Sequence, residues 1–191
     1  GRGLKLEAFR FEDRDGTARY FDADGLLVEP RLQNTPVPST IQITEDVQNG
    51  PGRRAHNGLD LKAPIGAPIF TPFAAIVTRT NWSTTINGNC VELTYTSSGI
   101  IARFLHLEAI DPDVYPGQEL AAGREIGTVG NTGRSSAPHL HYELRTVDGE
   151  VLRPLEVHGT EEVTVSAERA GRFRAWVKAQ RRLLEGARDR E

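Results

Sequence analysis

The stretch that decides the fold lies at residues 136–144 and reads Ser136-Ala137-Pro138-His139-Leu140-His141-Tyr142-Glu143-Leu144. Its polar and apolar residues alternate with a period of two, which predicts a β-strand. Leu140, Tyr142 and Leu144 then share one face of that strand, and His139, His141 and Glu143 share the other. The two imidazoles are about 6.5 Å apart along the strand. One of them can therefore bind a metal ion while the other reaches whatever that ion holds.

The composition is that of an ordinary globular domain: 191 residues, 38% hydrophobic and 26% charged. A net charge of −3 gives no general reason to expect nucleic acid or an acidic membrane surface as a partner. No apolar run approaches the roughly 18–20 residues that span a bilayer, so we expect no transmembrane segment. The chain has no Met and opens Gly1-Arg2-Gly3, which we interpret as a piece of a longer precursor.

Short strands separated by Gly, Pro and Asn turns predict a mainly β fold, an antiparallel sandwich or open barrel with a groove. We expect β-hairpins and an extended, proline-bearing approach segment over residues 1–40. The core domain then covers residues 41–160, including a polar, glycine-rich loop at 45–54. The single Cys90 lies in a strand pattern and is predicted to be buried.

Residues 161–191 are expected to form a C-terminal segment with one amphipathic helix, because apolar residues such as Phe173, Val177 and Leu184 recur at helical spacing. Ser166 is a candidate N-cap. An apolar stripe of this kind usually packs on a neighbouring element. The alternative is nucleic-acid binding through the arginines on the other faces.

Three residues form a candidate metal site. His56 and Asp60 are four apart, but the intervening Gly58 argues against a helix, so only a bend in the chain makes them converge. With His141 they make two imidazoles and one carboxylate, a typical ligand set for catalytic zinc that leaves a fourth position for water.

Two further histidines are candidates for proton transfer. His139 shares the strand face of His141, and His106 ends a neighbouring strand pattern. Each histidine taken singly is also compatible with a hydrogen-bonded structural role. No nucleophilic triad competes, since Ser135 and Ser136 lack a Gly-x-Ser-x-Gly frame. The loop Gly127–Gly133 follows no strand-to-helix pattern, so we interpret it as lining a substrate groove rather than cradling phosphate.

These motifs together resemble the LytM/lysostaphin-type zinc metallopeptidases, peptidase family M23. The resemblance rests on His56-x3-Asp60, His106-Leu107, and Gly127-x2-Gly130-x-Thr132-Gly133-x4-Pro138-His139-Leu140-His141. It implies Zn²⁺ bound by His56, Asp60 and His141, with His106 and His139 as the catalytic pair. It also implies peptidoglycan stem peptides as substrate and a periplasmic or extracellular location.

Three questions of function stay open at this point. Arg outnumbers Lys 20 to 3, typical of a GC-rich genome, which favours D-Ala–diaminopimelate cross-links over glycine bridges as the bond cut. The alternative function is a non-catalytic LytM-like domain that binds and activates a cell-wall amidase. A regulator is a further expectation, either a partner protein or the segment Pro30–Pro38, whose Asn34 would lie in the groove.

Overall fold

The computed structural model describes residues 7–14, 16–48 and 55–188, with side chains described as far as residue 185. Two predicted features lie partly outside these residues. They are the glycine-rich loop at 45–54, of which residues 49–54 are not described, and the N-terminal hairpins, of which residues 4–6 are not described. The described strands are β1 (Phe9–Glu12), β2 (Ala18–Phe21), β3 (Arg31–Leu32), β4 (Gln42–Glu45), β5 (Leu59–Lys62), β6 (Pro68–Phe70), β7 (Ala75–Thr80), β8 (Asn89–Tyr95), β9 (Ile101–Ile110), β10 (Glu119–Leu120), β11 (Glu125–Val129), β12 (His139–Arg145), β13 (Val151–Leu152) and β14 (Thr160–Glu161). The described helices are α1 (Thr84–Asn87), α2 (Pro154–His158) and α3 (Ala170–Arg188).

The chain divides into two compact units, one of Leu32–Thr160 and the other of Gly1–Arg31 with Glu161–Glu191. The short strands β3 and β14 lie where the chain passes from one unit to the other. That residues 1–40, 41–160 and 161–191 act as separate domains stays a prediction. Of the helices in the described ranges, none combines the length and the apolar character that crossing a bilayer requires.

The unit Leu32–Thr160 is built on one large antiparallel sheet, which confirms the predicted mainly β fold. Its strands follow the order β10-β7-β8-β9-β12-β5-β4, with β11 paired to β6 and β9, and β13 paired to β12. The strand predicted from the quoted stretch is β12, and it lies in the interior of the sheet between β9 and β5. Both of its long edges are therefore hydrogen-bonded to neighbours, which fixes the register of every side chain that it carries.

The hydrophobic core of this unit lies against one face of β12. Leu140, Tyr142 and Leu144 are fully buried there, as the alternation predicts. Leu59 and Leu61 of the adjacent β5 pack into the same core. Because alternate residues face opposite sides, the other face of these two strands is left for polar side chains.

The connection between β7 and β8 contains a short helix, α1. Ser83 precedes it in a left-handed conformation with φ of 50°, and Gly88 ends it. Its residues Thr-Thr-Ile-Asn have low helix propensity, so the sequence carried no helical signal. Cys90 is buried as expected.

The other unit contains the hairpin of β1 and β2 and the helix α3, which confirms the predicted C-terminal helix. The ring of Phe173 meets that of Phe11 edge-on, with 5.1 Å between centroids. Apolar residues from the hairpin, the chain before the helix and the helix itself form a separate core: Phe9, Phe11, Phe21, Val165, Phe173 and Val177. Phe173 and Val177 of the apolar stripe thus pack on a neighbouring element within their own unit, whereas Leu184 is exposed.

The predicted N-cap of α3 is wrong. The helix begins at Ala170, and the hydroxyl of Ser166 instead donates a hydrogen bond of 2.7 Å to the carboxylate of Asp13. A partner distant in the sequence therefore takes the group that a local motif would have used.

Candidate metal centre

Two adjacent strands bring Asp60 and His141 together. Asp60 on β5 is the direct cross-strand partner of His141 on β12. The neighbours of Asp60 along β5 are buried in the core, so its carboxylate projects from the opposite face, where His139 and His141 also project. Residues 81 positions apart in the sequence thereby become neighbours.

His56 completes the group from the segment that leads into β5. Its Nε2 lies 3.2 Å from Asp60 Oδ1, and His141 Nδ1 lies 2.7 Å from the same oxygen. One ligand atom from each residue falls within 4.8 Å of the others. The chain does bend between His56 and Asp60, as the sequence interpretation required.

The outward-facing nitrogen of each of these imidazoles is already occupied. His56 Nδ1–H donates to the backbone carbonyl of Asp46 at 3.1 Å, and His141 Nε2–H donates to Glu143 Oε1 at 3.2 Å. In the neutral ring, such a bond places the proton on the outer nitrogen and leaves the lone pair on the nitrogen that faces Asp60. Histidines that bind metals typically make this outer contact. The donor set and its orientation therefore fit a zinc ion held by His56, Asp60 and His141.

Gly58 permits the close packing of this group. A Cβ added there would lie 2.8 Å from His141 Nε2 and 2.8 Å from the carbonyl oxygen of Tyr142. Real side chains do not approach so closely, so any larger residue would push the imidazole out of place. The close approach therefore requires a glycine, whereas the bend does not, because Gly58 is not in the positive-φ region.

His106 enters the groove through an irregularity in β9. Between two successive cross-strand pairs, β8 contributes one residue, Cys90, and β9 contributes two, Leu105 and His106. The extra residue is a β-bulge, and His106 takes the left-handed conformation with φ of 66°. In a regular strand Leu105 and His106 would face opposite sides, but here both line the same groove.

The rings of His106 and His139 lie 5.0 Å apart between centroids. His106 Nδ1–H donates to the carbonyl of Thr132 at 2.9 Å, and His139 Nδ1–H donates to the carbonyl of Ala137 at 2.7 Å. Because each carbonyl requires a proton on Nδ1, the lone pair of each neutral ring is on Nε2. His139 Nε2 lies 3.6 Å from Asp60 Oδ1, further than either candidate ligand nitrogen.

Thr132 holds this arrangement at its base, and sequence reasoning gave it no role. Its hydroxyl donates to the carbonyl of Leu107 at 2.7 Å and accepts the N–H of Asn89 at 3.0 Å. Gly88, with φ of 67°, leaves room for it, since a Cβ there would lie 2.2 Å from Thr132 Oγ1. The spacing of Thr132 within the glycine motif was the available signal.

The charges of the group are strongly coupled. Burial by itself would raise the pKa of Asp60, but hydrogen bonds from His141 and His56 outweigh it and hold that pKa well below its usual value. Burial opposes protonation of His141, yet the carboxylates of Asp60 and Glu143 raise its pKa to about 9. The pKa of His56 is raised in the same way, with Asp60 outweighing burial. The carboxylate is thus anionic and strongly attracts positive charge.

The pKa of His106 is shifted in the opposite direction to that of His141. Burial lowers its pKa to about 4 although the Thr132 carbonyl favours the protonated form. The ring is therefore neutral at physiological pH, with Nε2 ready to accept a proton.

The groove around these residues has a volume of about 380 Å³. Arg134, Ser135 and Ser136 line it, whereas none of the residues 127–133 predicted to do so is among the lining residues. The groove is therefore lined by the segment that directly follows the predicted loop. Among the described residues, those that line it include none from segment 30–38. Val37 of that segment is buried in the core and Asn34 is exposed but not among the residues that line the groove, so the prediction that Asn34 lies in the groove is wrong for this structure.

Comparison with known proteins agrees with this geometry. The chain is 34% identical over 151 residues to the peptidoglycan DD-endopeptidase ShyA of Vibrio cholerae, a match that covers 75% of this chain and 33% of ShyA. It therefore spans about a third of that relative's length. Over 186 residues it is 29% identical to the DD-endopeptidase ShyC of the same organism, covering 90% of this chain and 40% of ShyC.

Solved structures show the same fold. A zinc-containing peptidase from Vibrio cholerae superposes with a TM-score of 0.55 at 30% identity, covering 78% of this chain and 46% of that one. Lysostaphin from Staphylococcus simulans gives 0.55 at 26% identity, covering 61% and 48%. The profile of peptidase family M23 matches residues 54–154, more than half of the sequence. The chain belongs to peptidase family M23.

Proposed function

We propose that this chain is a zinc-dependent endopeptidase that hydrolyses peptidoglycan cross-link peptides in the bacterial cell envelope. The observation that carries the proposal is the convergence of His56 Nε2 and His141 Nδ1 on one oxygen of Asp60. His106 and His139 lie beside this group. Because their Nδ1 atoms donate to backbone carbonyls, the Nε2 of each neutral ring can accept a proton. The named activity of ShyA and ShyC supports the substrate class.

His56, Asp60 and His141 would hold the zinc ion. Bound there, zinc supplies a Lewis acid that polarises a peptide carbonyl and lowers the pKa of water. The outer contacts to the Asp46 carbonyl and to Glu143 keep the two imidazoles oriented towards it. The low pKa of Asp60 keeps the third donor anionic over the working pH range.

His106 and His139 would move the protons that amide hydrolysis requires. A neutral imidazole with its lone pair on Nε2 accepts a proton from the attacking water. The resulting imidazolium then donates from the same nitrogen to the oxyanion or to the leaving amine. Their Nδ1–H bonds to backbone carbonyls hold both rings in place throughout.

The bond that we propose is cut is the D-Ala–diaminopimelate cross-link. Arg134 lies at the groove, and its side chain is exposed. A guanidinium is well suited to bind a carboxylate, which diaminopimelate carries and glycine bridges lack. Replacing Arg134 with Ala should raise the KM for cross-linked muropeptides more than it lowers kcat.

The test is digestion of purified cross-linked muropeptides by the zinc-loaded protein, with product analysis by mass spectrometry. We expect cleavage by the wild type and by Glu119→Gln, an exposed control on β10, and loss of cleavage by His139→Ala. Intact muropeptides with the wild type would refute the proposal. The amidase-activating alternative predicts that one or more of the five residues is lost from the site, whereas all five line this groove.

A further inference from the structure

A row of four charged side chains crosses the groove face of the sheet and ends beside His141. Arg79 on β7 faces Glu92 on β8, Glu92 faces Arg103 on β9, and Arg103 faces Glu143 on β12. Each pair is a direct cross-strand pair, so the four side chains lie on one line across four adjacent strands. We refer to these four residues as the ion-pair row.

Arg103 is the link between the two carboxylates. Its Nε donates to Glu92 Oε2 at 2.8 Å, and its Nη1 donates to Glu143 Oε2 at 3.4 Å. At the far end of the row, Arg79 Nη2 donates to the same Glu92 oxygen at 2.7 Å. A planar guanidinium with several N–H groups can bridge two acceptors in this way, whereas an ammonium acts as a single point charge.

The two oxygens of Glu143 serve different partners. Oε2 accepts from Arg145 Nε at 3.0 Å and from Arg103, while Oε1 accepts from His141 Nε2 at 3.2 Å. The Glu143 side chain is only 10% exposed. A buried carboxylate needs its oxygens satisfied, so the two arginines fix the plane in which Oε1 is presented.

We infer that the ion-pair row is a positioning device for His141: Arg103, itself anchored on Glu92, holds Glu143 so that Glu143 keeps the Nε2–H tautomer and aims Nδ1 at Asp60. The inference rests on the proposed function, in which His141 binds zinc. It assigns Glu143, Arg103 and Glu92 a role in zinc affinity, although the hydrogen bonds described for Arg103 and Glu92 include none to a candidate ligand or to the proton-transfer pair. Ion pairing between neighbouring strands would not by itself require the last carboxylate to accept a hydrogen bond from His141.

The experiment is a zinc titration of the metal-free protein in competition with a chromophoric chelator. Glu143→Ala should weaken zinc binding roughly 10- to 100-fold, the usual effect of losing an outer-shell partner. Glu143→Gln should recover part of that loss, because its amide oxygen still accepts the Nε2–H. Arg103→Lys keeps the charge but not the bridge, and we expect a loss of several-fold. Glu119→Gln, on the exposed edge strand β10, should bind zinc as the wild type does.

A second readout separates positioning from folding. The visible absorption of the Co²⁺-loaded protein should shift in Glu143→Gln, because the partner of His141 changes the ligand's electron donation to the metal. The melting temperature of each metal-free variant shows whether it is folded. If Glu143→Ala fails to fold, Glu143→Gln and Arg103→Lys still test the inference.

Wild-type zinc affinity in both Glu143 variants would overturn the inference. Weakened binding in the Glu143 variants with wild-type binding in Arg103→Lys would overturn the role of the row, leaving Glu143 acting alone. A wild-type protein that binds no zinc would instead refute the proposed function, and the inference with it.

Discussion

The two faces of β12 are almost equally buried, yet they differ in how their polar groups are satisfied. On the core face, Tyr95 O–H donates to Tyr142 Oη at 2.6 Å, and Tyr142 O–H donates to His158 Nε2 at 2.9 Å. His158 Nδ1–H in turn donates to the Gln33 carbonyl at 3.0 Å, so this chain of bonds is closed.

On the groove face, the side chains of His139, His141 and Glu143 are only 14%, 11% and 10% exposed. Here His141 Nδ1 and His56 Nε2 share a single partner, one oxygen of the Asp60 carboxylate, at 2.7 and 3.2 Å. Burial alone therefore does not mark a functional histidine. A buried histidine whose bonds close within the core, such as His158, stabilises the fold, and one that shares a carboxylate with a second imidazole at an open groove is a ligand candidate.

We expect the largest effect on zinc binding and activity when a ligand on the groove face is removed. His141→Ala should abolish zinc binding and lower peptidase activity by more than the roughly 100-fold upper effect of an outer-shell loss, while the protein stays folded. Zinc content and muropeptide digestion measure the first two, and circular dichroism the third. Stoichiometric zinc in this variant would contradict the ligand assignment.

Removing a proton-transfer residue should separate chemistry from metal binding on the same face. His106→Ala should lower kcat by roughly 10²- to 10⁴-fold, the usual range for general acid–base groups, with zinc affinity unchanged. Single-turnover kinetics with chelator competition measures both quantities. A loss of zinc parallel to that of His141→Ala would show that His106 is a ligand instead.

A substitution on the core face should lower the stability of the fold and leave zinc binding and activity unchanged. Leu140 is fully buried, so Leu140→Ala should cost about 2–5 kcal/mol of unfolding free energy. Zinc stoichiometry and activity per folded molecule should stay at wild-type values. Urea denaturation of the metal-free protein gives the free energy, and an unchanged midpoint would show that the two faces are not divided in this way.

The smallest effect concerns pH. Since Asp60 and Glu143 raise the pKa of His141 to about 9, its contribution to the stability of the metal-free protein is complete below about pH 6.5. It is lost as the pH rises towards 9, on the order of 1–3 kcal/mol. Melting curves from pH 6.5 to 9 should show this decline without zinc and little of it with zinc, because an imidazole that binds zinc through Nδ1 is already neutral. Parallel decline in both forms would contradict the coupling.

Much of this site followed from the sequence, because its main elements have local signals. The alternation over residues 136–144 gave the strand and the faces of His139 and His141, and Gly58, two residues after His56, indicated the bend. The residue types and their spacing made His56, Asp60 and His141 candidate ligands and made His106 and His139 candidates for proton transfer, and the family resemblance implied the same roles.

Other features depend on contacts that no local pattern records. The bulge that turns His106 into the groove arises from an unequal residue count on β8 and β9. The link from Arg103 to Glu92 and Glu143 depends on the register of three strands. Glu143 could have been found, since it shares the face of His141, but alternation gives a face and not a partner.

The most direct test of the central claim is a crystal structure of the zinc-loaded protein with anomalous data collected at the zinc edge. Our account predicts one zinc ion bound by His56 Nε2, Asp60 and His141 Nδ1, with no fourth protein ligand. A zinc ion elsewhere, or one whose coordination is closed by a fourth protein donor, would contradict it.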